Sequence, residues 1–262
     1  MIFEFFLTIL IVGFVTAGLN IRFDRFFTIL LLLFIFGLSI TDAINIFLWV
    51  IMVGALMIIL KNKEKIFVLP KLMKIKLFVM VPVFTLIASF IGSLLFINSS
   101  QSVLLITLGI LSILYGLRLV FVHFEKHELE FEKGYPTITK MCGIIGPWIS
   151  GFFIGFIGTS IKALKIPFAI KIGKMNIKQV YLGNTISAFF ASFFAIMWHF
   201  VLSKNITFNF FYEQMILGLA LSAGIHFVFE LTNIFFKNKW RKIFQILIGL
   251  ILLLVPIKIF MI

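Results

Sequence analysis

The sequence predicts an all-α membrane protein built from two inverted-topology repeats of about five helical segments each. Three observations carry that prediction. Of 262 residues, 62% are hydrophobic, 17% aromatic and only 13% charged, which leaves too little polar surface to cover a soluble globule. The apolar residues also fall into long uninterrupted stretches, and a helix needs roughly 20 of them to span a bilayer. Strands would need a closed barrel and an alternating pattern that is absent here. Finally, the chain matches itself about 140 residues apart. Gly18-Leu19-Asn20-Ile21-Arg22-Phe23-Asp24-Arg25 aligns with Gly158-Thr159-Ser160-Ile161-Lys162-Ala163-Leu164-Lys165, while Gly109, Gly116 and Arg118 align with Gly249, Pro256 and Lys258.

Taken in order, residues 2–19 form the first apolar stretch and carry Glu4 where a cleavable leader would be positive, so they are read as a retained membrane helix. Residues 26–39 are too short to cross unaided, and 41–60, 76–97 and 102–121 complete the first copy. The second copy repeats the order at 142–158, a short 166–173, 179–202, 209–231 and 241–261. Short or re-entrant helices are therefore expected near 18–39 and 158–175. The domains read as membrane repeat 1 over 1–121, a cytoplasmic linker over 122–140 and membrane repeat 2 over 141–262. Whether the short segments cross fully or dip in and return, each copy has an odd number of crossings, which inverts the second relative to the first.

The net charge of +13 does not point to nucleic acid, because the cations sit in short loops beside apolar stretches rather than on one solvated face. Threading the helices places 19 of the 23 cations on the cytoplasmic side and Lys162, Lys165, Lys204 and Lys258 outside. The lysine-rich connection at 61–76 matches a segment near 201–216 that holds only Lys204, as an upside-down copy requires. The expected location is the cell inner membrane, multi-pass.

One cysteine, Cys142, excludes an intramolecular disulfide and a thiolate zinc cluster. His123 and His127 lie four apart beside Glu125, Glu128, Glu130 and Glu132, yet a solvated linker accounts for them without a metal. No metal and no cofactor is expected.

The candidate site is the pair of basic motifs, each placed after a glycine and between a long and a short apolar stretch. Arg22 with Arg25, and Lys162 with Lys165, are spaced three apart, which puts both members on one helix face. A cation at bilayer depth costs roughly 2.5–3.5 kcal/mol on insertion scales, so it is kept there for a partner or a ligand. Should both hairpins dip to the midplane, four cations and two helix N-termini would converge on an anion. Asn20, Thr159 and Ser160 sit at the same turns, able to donate to ligand oxygens or to cap helices. Interface anchoring is the competing reading, strongest for Arg22 and Arg25. Gly143, Gly146, Gly151, Gly155 and Gly158 form a stripe that permits close helix approach and carries no chemistry of its own. His226, four before Glu230, and His199 with Glu213 near an outer loop are weighed as proton carriers and read as residues facing water.

The second copy, Gly143-Ile-Ile-Gly-Pro-Trp-Ile-Ser-Gly151 through Gly155 and Gly158 to Pro167, resembles the second repeat of the sulfite exporter TauE/SafE family. Gly158 to Pro167 reproduces that family's interval of nine, Gly37-Leu-Ser-Ile-Thr-Asp-Ala43 resembles its glycine, short turn and alanine, and residues 104–121 and 244–261 resemble its closing helices. The departure is at the turns, where Asn20-Ile21-Arg22 and Ser160-Ile161-Lys162 replace a run of glycines. The resemblance implies a permease for small anions, sulfur-containing or organic, such as sulfite or sulfonates. With the cationic turns it leads to a secondary anion transporter working by alternating access, not an enzyme. Its partners would be a small anionic substrate and membrane lipids. Coupling to protons or another ion, and a homo-oligomer, stay open. The alternatives are a membrane enzyme, a lipid-linked phosphate translocase or a structural membrane subunit.

Overall fold

The computed structural model describes residues 2–19, 26–122, 136–203, 208–236 and 238–260. Every regular element among them is helical: α1 Ile2–Gly18, α2 Phe26–Phe34, α3 Ile40–Lys61, α4 Lys63–Phe67, α5 Lys71–Ile75, α6 Val81–Asn98, α7 Gln101–Phe121, α8 Pro136–Ile157, α9 Lys162–Pro167, α10 Ile177–Leu202, α11 Phe208–Asn233 and α12 Asn238–Phe260. Turns of π-helix at Lys76–Met80 and Phe168–Ile172 carry α5 into α6 and extend α9. Among the described residues seven helices are long and apolar enough to cross a membrane, which makes the chain a multi-pass membrane protein; α1, at 17 residues, is a shorter apolar helix. The expected apolar stretches recur as helices within a few residues of their predicted ends. The exception is α8, which begins at Pro136, inside the stretch read as linker; proline suits a first helical position because its missing N–H would have had no partner there.

The helices gather into two compact units that interleave along the chain. Unit 1 takes Met1–Gly54, Ser99–Val120 and Ser203–Ile262, and unit 2 takes Ala55–Asn98 and Phe121–Leu202.

In unit 2, α6 and α8 run parallel with their backbones in contact. A Cβ added at Gly92 would meet the Phe152 carbonyl oxygen at 2.1 Å, and one at Gly155 would meet the Ser89 oxygen at 2.4 Å. The small-residue stripe does here what it does between membrane helices, letting main chains touch. α10 closes the unit: Trp198 donates to the Leu86 carbonyl (3.3 Å) and packs edge-on against Phe90. The starts of α5, α8 and α10, the π turn after α9 and the loop before α10 bear Lys71, Lys74, Lys140, Lys171, Lys174 and Lys178, so one end of the unit is strongly basic.

In unit 1, α1 lies parallel to α11, where added Cβ atoms at Gly13 and Gly224 would meet Val228 and Ile9 at 2.5 and 2.4 Å. α3 lies parallel to α11 as well, through Ser222 to the Val50 carbonyl (3.3 Å) and Gln214 to Asp42 (3.4 Å). Since α1 and α3 point the same way, the chain between them returns to its starting side. α7 and α12 cross antiparallel. Ser112 donates to the Leu252 carbonyl (2.8 Å), Gln245 to that of Leu119 (3.0 Å), and a Cβ at Gly116 would stand 2.7 Å from the Gly249 oxygen.

Charge separates along unit 1. Glu4 and Asp42 sit in the first turns of α1 and α3, where a helix N-terminus favours an acid. The other end is basic and is tied together by Arg241, which donates to the carbonyls of Ala17 (2.9 Å), Asn233 (3.2 Å) and Phe236 (3.2 Å). These include the last carbonyls of α1 and α11, groups that have no partner within their own helices.

Candidate functional site

The site residues that fall within the described part of the chain, Thr159, Ser160, Lys162 and Lys165, all lie in unit 2 on the segment that follows α8. Asn20, Arg22 and Arg25 lie outside the described residues.

α8 ends because Gly158 takes φ of +74°, a conformation that glycine adopts without a Cβ clash, and its N–H closes the helix on the Ile154 carbonyl (3.0 Å). The preceding turn is anchored from α10: His199 Nε2–H donates to the Gly155 carbonyl (2.7 Å) while its ring stacks on Phe96 at 4.1 Å and 1°. His199 is only 2% exposed, so it is a buried clamp on the end of α8 rather than a residue facing water.

Beyond Gly158 the chain reverses and runs back along α8. Ser160 accepts at its carbonyl from the Lys162 N–H (2.8 Å), and α9 starts there. Lys165 then lies level with the middle of α8, where its Nζ donates to Ser150 Oγ (2.5 Å) and approaches the Gly146 carbonyl (3.5 Å). Gly173, at the end of the π turn, reaches Ile138 in the first turn of α8. In the second copy the short segment thus runs back along α8 from its end to its first turn, while the corresponding turn of the first copy, residues 20–25, lies outside the described residues.

Thr159, Ser160 and Lys162 are 3%, 2% and 7% exposed. The Ser160 hydroxyl has no hydrogen-bond partner among the described residues, although a buried hydroxyl left unsatisfied costs roughly 1–3 kcal/mol. No carboxylate pairs with Lys165 among the described residues. Two cations three residues apart, an oriented serine and an unsatisfied hydroxyl are a donor-rich, acceptor-poor group. Such a group suits an anion, and among the described residues no three His, Cys, Asp or Glu side chains gather to hold a metal.

Ser150 was not singled out by sequence. The signal available was its place four residues after Gly146 and one before Gly151, within the glycine stripe of α8. In unit 1, Asp42 accepts from Ser39 Oγ (2.6 Å) and Gln214 Nε2 (3.4 Å), while Ser39 Oγ in turn accepts the Asp42 N–H (3.2 Å), a side-chain cap on α3.

No family model matches the chain, and no curated protein or solved structure is significantly similar to it.

Proposed function

We propose that the chain is a secondary transporter of small anions, located in the cell inner membrane, and that Lys162, Lys165, Ser150, Ser160 and Thr159 bind the anion. The observation that carries this reading is Lys165: a lysine held on Ser150 beside the midpoint of a membrane helix, with no carboxylate partner among the described residues. Charge at that depth is costly and belongs to ligand or ion pathways far more often than to packing. The unsatisfied Ser160 hydroxyl two residues before Lys162 supplies the neutral donor an oxyanion would engage. The resemblance to the sulfite exporter TauE/SafE family makes sulfite and sulfonates the first anions to try.

The reading includes two inverted repeats, and the pairing of helices supports it. Shifted by 140, α1 on α11 becomes α8 on α6, the contacts that build the two units. Ser112 and Leu252, joined by a hydrogen bond, are themselves 140 apart, as a pair lying on a twofold relation between the copies would be. Each unit collects its loop cations at one end, and the positive-inside tendency assigns those ends to the cytoplasm. Alternating access of the lysine pair to the two sides would then move the anion.

Purified protein in proteoliposomes tests this with sulfite, thiosulfate, sulfonates, carboxylates and phosphate. Lys165→Gln is expected to lower transport of the accepted anion roughly 10- to 100-fold, the value of a charge-assisted hydrogen bond, with the helical content unchanged. Wild-type rates in that variant, or no movement of any small anion by the native chain, overturn the proposal.

A further inference from the structure

The seam between α6 and α8 in unit 2 keeps one register. A Cβ at Gly151 would stand 3.0 Å from the Thr85 Cα, and a Cβ at Gly155 would stand 3.0 Å from the Ser89 Cα, so facing residues are 66 apart in the chain. Residues four apart on a helix share a face, and the same step from Ser89 brings Ser93 level with Thr159, at the reversal where α8 ends. Thr85, Ser89 and Ser93 are all fully buried. The first two hydroxyls close on their own helix, Thr85 on the Val81 carbonyl (2.8 Å) and Ser89 on the Leu86 carbonyl (3.1 Å). Ser93 breaks the series: its Oγ has no hydrogen-bond partner among the described residues.

The reversal therefore carries two buried hydroxyls without partners, Ser93 on α6 and Ser160 on the chain leaving α8, although a buried hydroxyl is costly to leave unsatisfied. α10 closes the same place from a third side, where His199 holds the Gly155 carbonyl and its ring covers Phe96, three residues beyond Ser93. Lys162, buried, opens α9 two residues after Ser160. Neither α6, α8, α9 nor α10 contains a single Asp or Glu, so the charge within this bundle is positive throughout. Ser150, which holds Lys165, lies nine residues before Thr159, about 14 Å along α8 at 1.5 Å per residue, farther than a small oxyanion spans.

We propose that Ser93, Ser160 and Lys162 form a second station for a small oxyanion at the end of α8, separate from the station of Ser150 and Lys165. The inference rests on the transporter reading above and adds a residue of α6 to its site. The two hydroxyls supply neutral donors to the anion's oxygens and the lysine supplies the opposing charge. Two stations occupied in turn admit an anion without holding it, because each makes only part of the contacts that one deep site would.

Hydrogen exchange of the purified full chain, titrated with sulfite and with inorganic phosphate, reads the station at the amides of 159–164. At ten times the half-saturating concentration of the anion that binds, exchange there is expected to slow about tenfold in the native chain and equally in Lys165→Gln, which empties only the other station. Ser93→Ala should lose that protection, as should Ser160→Ala. It should also lower transport at limiting anion in proteoliposomes roughly 10- to 100-fold, the worth of a hydrogen bond to a charged group, and keep the native unfolding temperature, since the hydroxyl removed has no partner. Ser89→Ala, one turn earlier and satisfied on Leu86, should transport as the native chain does. Protection that survives Ser93→Ala, protection that vanishes in Lys165→Gln, or a Ser93→Ala chain that is less stable but transports normally overturns the proposal. Failure of the transporter reading itself looks different and overturns both: the native chain then moves no small anion.

Discussion

Replacing Gly92 by alanine puts a methyl group where two main chains already touch. Its Cβ would stand 2.1 Å from the Phe152 carbonyl oxygen, 2.9 Å from the Phe156 nitrogen and 3.0 Å from the Phe152 carbonyl carbon. All three are backbone atoms, so no rotamer change relieves the clash. Since a Cβ does not come closer than 3.0 Å to a neighbour, α6 and α8 must part by at least 0.9 Å, the difference between 3.0 and 2.1 Å. Overpacking of this kind costs about 1–3 kcal/mol, and alanine returns up to about 1 kcal/mol as the better helix former. A net loss of about 1–2 kcal/mol lowers the folded-to-unfolded ratio roughly 5- to 30-fold. Gly143→Ala is the internal control, because it lies on α8 with no heavy atom within 4 Å of the new methyl and gains only the helix-forming advantage. Unfolding in mixed detergent micelles, followed by tryptophan fluorescence, reads the difference. Trp148 and Trp198 sit in unit 2 against Phe84 and Phe90 and report on this interface. The expected midpoint falls below wild type for Gly92→Ala and does not fall for Gly143→Ala. Equal stability of the two variants would refute the backbone contact and, with it, the placement of α8 that sets Ser150 against Lys165.

Two further outcomes separate function from folding. Ser160→Ala removes a buried hydroxyl with no partner, so stability is expected to hold or rise while anion affinity falls roughly 10- to 100-fold, the worth of a hydrogen bond to a charged group; calorimetric binding beside thermal unfolding checks both, and unchanged affinity removes Ser160 from the site. Arg241→Lys keeps the charge but lacks the planar fork that reaches three carbonyls, so hydrogen exchange should rise at the ends of α1 and α11, with about 1.5–3 kcal/mol less protection, and stay unchanged in α8.

Hydropathy made most of the helices legible, since it records the desolvation that fixes where a membrane helix begins and ends. The stretch 41–60 is Ile40–Lys61, and 102–121 is Gln101–Phe121. It failed where helix and apolarity part company: α4 and α5 are short, lysine-bearing helices inside a segment read as a loop, and α8 starts six residues before the apolar stretch predicted at 142. Burial of single side chains was also hidden, because it depends on which face another helix covers. His199 reads as a loop-flanking residue until α8 brings Gly155 to it, and Lys165 reads as one of a pair of turn cations until the returning segment meets Ser150. The lysine pair itself was legible as charge that breaks the loop rule. Its partner was not, since the place of Ser150 among the glycines of α8 does not say which segment will cover that face.

The interleaving of the two units has a consequence for how the chain is made. Unit 2 has all its residues once synthesis passes Leu202, whereas α1, the first helix to emerge, has its partner α11 only after Asn233 is added. During translation the first helix must therefore wait, its small-residue face against lipid or a chaperone, while a later-born bundle is completed ahead of it. A chain released after Leu202 would hold one finished unit and several orphaned helices, which makes the last sixty residues the step that commits the molecule to assembly.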